Sequence, residues 1–191
     1  MPANKIMMIR HAEKPDGKQT GVDPDGKEDA EELVVRGWQR SGALVRLFAP
    51  QGGKFTDPHL AQPNTIFASG TGKHSNSLRP QHTVLELANA LNLKLDLRFP
   101  KGAEQDLAKA ALAAAGPVLI AWEHEDIPDI ANGIVGNSNG IVGNGTTCPQ
   151  KWPGSRFDLV WVLDRKAAGS GWDFNQVPQL LLSGDSKDPI A

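Results

Sequence analysis

Short apolar runs of strand length alternate with longer stretches of helical periodicity along most of the chain, and few folds accommodate that alternation. Its clearest member is Val118-Leu119-Ile120-Ala121-Trp122, apolar at every position, which predicts a central strand covered on both faces. Residues 6–9 and 65–68 read as strands as well, residues 93–99 as a half-exposed strand, and residues 157–163 as a further one. Residues 172–182 read as a last, edge-like strand. Between them, residues 29–48 carry Leu33, Leu44 and Leu47 at helical spacing, and residues 79–91 present Val84, Leu87, Ala88 and Leu91 on one face. Residues 104–115 form an alanine-rich helix closed by Gly116-Pro117. The pattern predicts an α/β fold: a three-layer sandwich with a mostly parallel central sheet and helices on both faces.

At 191 residues the chain fits a single domain, 1–191, and no linker composition divides it. No segment approaches the roughly 18 consecutive apolar residues of a membrane span, and Ile6-Met7-Met8-Ile9 is too short for a secretory leader. The single cysteine, Cys148, excludes an internal disulfide framework, makes a thiolate-built zinc site unlikely to arise, and suggests a reducing, cytoplasmic compartment. With 20 basic and 22 acidic side chains and no basic run, nothing suggests nucleic acid as a partner. Residues 15–28, rich in Gly, Asp and Lys, read as a mobile surface loop. The repeated Asn-Gly-Ile-Val-Gly-Asn at 132–137 and 139–144 reads as a loop flanking the site.

In an open α/β sheet, ligands bind beyond the carboxyl ends of the strands, so the residues that follow each strand are the informative ones. Arg10 and His11 follow the first strand, Ser69-Gly70-Thr71-Gly72 and then Arg79 the second, and Glu123-His124-Glu125-Asp126 the fourth. Arginine forks and helix N-termini bind phosphate oxygens. A neutral imidazole can carry a phosphoryl group as a covalent intermediate, and a second histidine can donate to a phosphoryl oxygen. The set therefore predicts an anion site that contains a nucleophile and needs neither metal nor cofactor. His59, His74 and His82 have no ligand partners at helical or strand spacing.

The motifs resemble those of the histidine phosphatase (phosphoglycerate mutase-like) superfamily. Ile9-Arg10-His11-Ala12-Glu13-Lys14-Pro15 resembles its N-terminal signature in the form found in short bacterial members, and Leu33…Gly37-Trp38-Gln39 is similar to its first helix. Ser77-Leu78-Arg79-Pro80-Gln81-His82-Thr83 resembles the second arginine motif. Ile120-Ala121-Trp122-Glu123-His124 resembles the strand that delivers the second histidine. The resemblance covers roughly residues 5–130. It implies a phosphatase acting on a small-molecule or protein phosphate ester, with His11 as phosphoacceptor and Arg10, Arg79 and His124 holding the phosphate. Phosphomutase activity, phosphohistidine-protein phosphatase activity and a non-catalytic phosphate-binding module are the alternatives. Three departures stand out: Ala12 where glycine is commoner, Glu125 where glycine usually follows the histidine, and no mutase-type Glu-Arg pair around residues 96–102.

Expulsion of an alkoxide calls for a proton donor. Glu125, beside His124, leads the candidates, as the acid-phosphatase branch keeps its donor there. Glu104, Glu13 and Asp126 remain open, and Glu104 also reads simply as a helix-start residue favoured by the dipole.

Overall fold

The computed structural model describes residues 2–136, 147–166 and 171–191. Among these, Lys5–Arg10 (β1), Thr65–Ala68 (β2), Leu95–Asp96 (β3), Val118–Trp122 (β4), Leu159–Arg165 (β5) and Trp172–Pro178 (β6) form one sheet. Their spatial order is β3-β2-β4-β1-β5-β6. β1 to β4 pair in parallel, β5 runs antiparallel to β1, and β6 runs antiparallel to β5, so β5 alone opposes the rest. The sheet is thus mostly parallel, and β4, buried at all five positions, lies between β2 and β1.

Four helices accompany it: Val35–Phe48 (α1), Arg79–Leu91 (α2), Glu104–Ala113 (α3) and Ile127–Val135 (α4). The core divides by the twofold period of the strands. Met7, Ile9, Leu119, Ala121, Val160 and Val162 cluster with Leu44 and Phe48 of α1 and Val84 and Leu87 of α2. Their neighbours Ile6, Met8, Val118, Ile120, Leu159 and Trp161 cluster with Leu107 of α3 and Ile127, Ile130 and Ile134 of α4. Each fully buried aliphatic side chain contributes roughly 1.5–3 kcal/mol. No helix among the described residues is long and apolar enough to cross a membrane.

The boundaries of α2 and β4 fall where the periodicity predicts; several others move for identifiable reasons. Helix α1 begins at Val35 rather than at residue 29 because the backbone of the preceding stretch, which turns at residues 30–32, is hydrogen-bonded to other segments. Asp29 N–H donates to Gly21 O, Val22 N–H to Leu33 O, and Val34 N–H to Glu13 O. A Cβ at Gly21 would come within 2.2 Å of Asp29 O, so only glycine permits that approach. β3 shortens to two residues because the Asp96 carboxylate accepts the Arg98 backbone N–H and folds the chain into a turn. β6 stops at Pro178, after which Leu180 takes φ 52° and Asp185 accepts the Leu181 and Leu182 N–H groups. The first copy of the Asn-Gly repeat is not a loop through Val135 but the end of α4, capped by Gly136 at φ 79°. The rest of the repeat lies outside the described residues. In the stretch 15–28, Asp16 and Asp23 each accept two backbone N–H groups in local turns.

Candidate active site

The parallel strands β2, β4 and β1 lie side by side, and the register pairs Arg10 with Trp122 and Ala68 with Ala121. The residues that follow therefore emerge together at one edge of the sheet. His11 N–H donates to Trp122 O (2.9 Å) and Ser69 N–H to Ala121 O (3.2 Å), which extends the strands by one residue. Beyond His11, Ala12 N–H donates to Thr83 Oγ1 (2.8 Å), and that hydroxyl donates to Arg79 O (2.7 Å). The nucleophile candidate is thus fixed to β4 on one side and to the first turn of α2 on the other. Ser77 supports the same turn by accepting the Arg79 N–H (3.3 Å).

A cavity of about 170 Å³ opens at this edge, lined by His11, Lys14, Arg79, Lys101, Glu123, His124 and Glu125, with His74, Ser75 and Ser77 completing it. A larger cavity, about 550 Å³, lies beside Cys148, Phe174 and Ile190, but no charged side chain lines it. The sequence-predicted residues His11, Arg79, His124 and Glu125 gather at the smaller one.

His11 is 4% exposed, and its Nδ1 lies 2.7 Å from Ala12 O. A carbonyl oxygen only accepts, so Nδ1 carries the proton and Nε2 keeps its lone pair. Burial, reinforced by the positive charge of Arg10, holds the ring well below the ordinary histidine range, and it is neutral at pH 7. His124 behaves similarly: burial and then Arg10 push its pKa down to about 4.

Arg10 is 1% exposed, and its guanidinium stacks 3.7 Å above the Phe157 ring. Nη1 donates to Gly154 O and Arg156 O, whereas the buried Nε and Nη2 have no partner among the described residues. Burial lowers its pKa to about 10, so it stays charged at neutral pH. Arg79 donates to Ala30 O (3.1 Å) and Glu31 Oε2 (3.4 Å) but also leaves a buried Nε unpartnered. Buried donors without acceptors are costly. An anion bound between these arginines would satisfy them.

The carboxylates sort themselves differently from the sequence expectation. Glu125 lines the cavity, but its side chain is 65% exposed and accepts from Lys101 Nζ (3.0 Å). That ion pair lowers its pKa. Glu13 turns away from the cavity into a buried network. It accepts from Arg40 Nε and Nη2 (3.0 and 2.8 Å) and Arg36 Nε (3.0 Å), while Arg40 also binds Asp185 (2.7 Å). Glu104 starts α3, and its Oε1 accepts from Gly102 N–H and Trp122 Nε1, so it anchors the helix start to β4. Asp126 lies 3.3 Å from Lys101.

Three contributors, Glu123, Gly154 and Phe157, lie outside the sequence-predicted set. Glu123 was legible only as a residue of the β4 motif, yet it lines the cavity, and both its carboxylate oxygens are buried without a partner. Burial raises its pKa; the nearby Ser69 hydroxyl and Lys101 only partly offset that shift. Gly154 and Phe157 wrap Arg10 from a segment 144 residues away in sequence, at the Gly154 contact. A Cβ at Gly154 would meet His124 Nε2 at 3.3 Å, so this glycine also makes room for the second histidine. A local Pro-Gly pair signals a turn but not its partner. His82 is held by Glu32 (2.7 Å) and His59 lies beside Asp164 (3.3 Å), both outside the cavity. Among the described residues no cluster of His, Cys, Asp and Glu is arranged to hold a metal ion.

Comparison with solved structures resolves the fold. The chain is similar to the protein histidine phosphatase SixA in complex with tungstate (16% identity, 92% of this chain and 97% of that one, TM-score 0.51). It is similar also to a mycobacterial glucosyl-3-phosphoglycerate phosphatase, Rv2419c, in complex with VO3 (9% identity, 91% and 97% coverage, TM-score 0.52). The chain has the histidine phosphatase fold. A SixA protein from Nakamurella multipartitia shares it at 17% identity over 92% of this chain and 96% of that one, with TM-score 0.51. No protein-family model and no curated protein sequence matches the chain. The likeness is therefore one of histidine phosphatase architecture, and the chemistry rests on the side chains described above.

Proposed function

We propose that the protein is a histidine phosphatase that hydrolyses a phosphate monoester, on a small molecule or a protein, through a phosphohistidine at His11. The observation that carries this reading is the His11 Nδ1–H···O=C hydrogen bond to Ala12, which leaves Nε2 as a buried, neutral nucleophile. In the first step Nε2 attacks phosphorus and the ester P–O bond breaks. In the second, water attacks the phosphohistidine and releases phosphate. Arg10 and Arg79 hold the phosphoryl oxygens through the donors that lack protein partners, and His124 donates a ring N–H to a further oxygen.

The three solved structures named above are of proteins called phosphatases, and the oxyanions bound in two of them, tungstate and VO3, resemble a phosphoryl group in shape; this supports the hydrolase reading. The positive charge gathered in the protein supports catalysis without a metal. The division of the core into two clusters, one with α1 and α2 and one with α3 and α4, supports the three-layer sandwich as a single domain, 1–191.

The decisive experiment traps the intermediate. Wild type quenched during turnover of labelled p-nitrophenyl phosphate should carry acid-labile, base-stable label, EDTA should not reduce turnover, and His11→Ala should lose both label and hydrolysis. Full activity in His11→Ala would remove the mechanism.

A further inference from the structure

His124 stands between two glutamates that the chain places in opposite environments. Glu125 projects to solvent and is neutralised by Lys101. Glu123 turns inward at the end of β4, next to the strand end that carries His11, where the last registered pair is Arg10 with Trp122. Its two carboxylate oxygens are buried and, among the described residues, take part in no ion pair; the Ser69 hydroxyl is the neutral donor beside them. A buried carboxylate ionised without donors would bear the full desolvation cost, whereas the neutral acid bears much less. The charged and aromatic donors nearby are engaged elsewhere, Lys101 with Glu125 and Trp122 Nε1 with Glu104, which leaves the neutral Ser69 hydroxyl as the neighbour of the carboxyl.

Resting on the phosphatase reading above, we propose that Glu123 is the proton donor to the leaving oxygen and the base that activates water. As His11 Nε2 forms its bond to phosphorus, the P–O bond breaks and the electron pair remains on the leaving oxygen, which takes the Glu123 proton and departs as the alcohol. In the second step the Glu123 carboxylate takes a proton from water as its oxygen bonds to phosphorus and the Nε2–P bond breaks. The acid is regenerated and His11 is again neutral. The groups that face Glu123 are Ser69, Lys101 and Asp126; of these, Asp126 adds a carboxylate that favours the protonated acid and Lys101 opposes it. Burial outweighs both.

The test compares leaving groups. p-Nitrophenolate leaves with little need of a proton, whereas the alkoxide of glycerol 2-phosphate requires one. Glu123→Gln keeps the shape and removes the titrating proton, so its kcat/KM for glycerol 2-phosphate should fall about 10²–10⁴-fold further than for p-nitrophenyl phosphate. The alkaline limb of the wild-type profile on the alkyl ester should vanish in the variant. Glu125→Gln should slow both substrates by the same factor. Retained vanadate binding by Glu123→Gln shows that the variant is folded, and a misfolded Glu123→Gln is replaced by Glu123→Asp, for which the same leaving-group ratio should move in the same direction. Equal slowing of both substrates in the folded variant, or leaving-group dependence in Glu125→Gln instead, overturns this assignment alone. Wild type that forms no phosphohistidine overturns the function on which it rests.

Discussion

Two arginines in this protein are equally buried, each 1% exposed, and they are treated in opposite ways. Around Arg40 every direction is filled. Glu13 accepts from Nε and Nη2, Asp185 from both Nη atoms, and Gln179 Oε1 from Nη1 (2.9 Å). Burial alone would lower its pKa, but the hydrogen bonds of Asp185 and Glu13 hold it above the ordinary arginine range. Around Arg10 the protein supplies two backbone carbonyls and an aromatic face, leaves Nε and Nη2 without acceptors, and lets the pKa fall to about 10. A saturated buried charge holds structure together. An unsaturated one lowers stability until something outside the chain completes it, so the second arginine marks where a ligand is expected.

That contrast can be broken most forcefully at the saturated site. Arg40→Ala strands Glu13 and Asp185 as buried anions and should cost about 3–5 kcal/mol in urea unfolding, the range for breaking one side of a buried pair. A loss under 1 kcal/mol would mean that the network is looser than its distances indicate. Arg10→Met should do the reverse: vanadate affinity should weaken by about 1.5–3 kcal/mol, the range for hydrogen bonds to charged groups, while the unfolding midpoint falls less than in Arg40→Ala. If Arg10→Met unfolds the protein as readily as Arg40→Ala but binds vanadate normally, the two roles are exchanged.

The smallest effect concerns acid. Asp185 is buried, which alone would raise its pKa, but the hydrogen bond from Arg40 and the backbone N–H groups of Leu181 and Leu182 carry it below the ordinary carboxylate value. A group with a lowered folded pKa contributes stability that is present above its unfolded pKa and is lost as pH falls through the folded one. Wild-type stability should therefore decline on acidification below the ordinary carboxylate range, and the decline should be shallower in Asp185→Asn. Identical acid limbs would remove Asp185 from the account.

How much of this was legible in sequence depended on the distance over which each feature is determined. β4 was readable because five apolar residues in a row have no option but burial on both faces. Helix α2 was readable from its own periodicity. The start of α1 was not, because Glu13, Gly21 and Val22 bind the backbone of Asp29, Leu33 and Val34 from outside that segment. Arg10, His11, Arg79 and His124 could be placed at strand ends and helix starts by local pattern, and three of them line one cavity with Arg10 charging it from behind. The carboxylates were beyond local reading. Glu123 and Glu125 flank one histidine with identical chemistry, and only the direction in which the turn after β4 sends each side chain separates a buried acid from a solvated one.

The Arg40–Asp185 contact spans 145 residues, and it completes the cage around Glu13, two positions beyond His11. β1, which His11 follows, is synthesised early, but its neighbours β4 and β5 and the Asp185 turn come after it. On the ribosome the first strand must wait, with its apolar residues and two ionic neighbours uncommitted, until nearly everything else has emerged. The sheet edge at His11 is thus among the last parts of the molecule to acquire its shape, and a nascent chain released early would contain His11 without the surroundings that bury it and fix its ring.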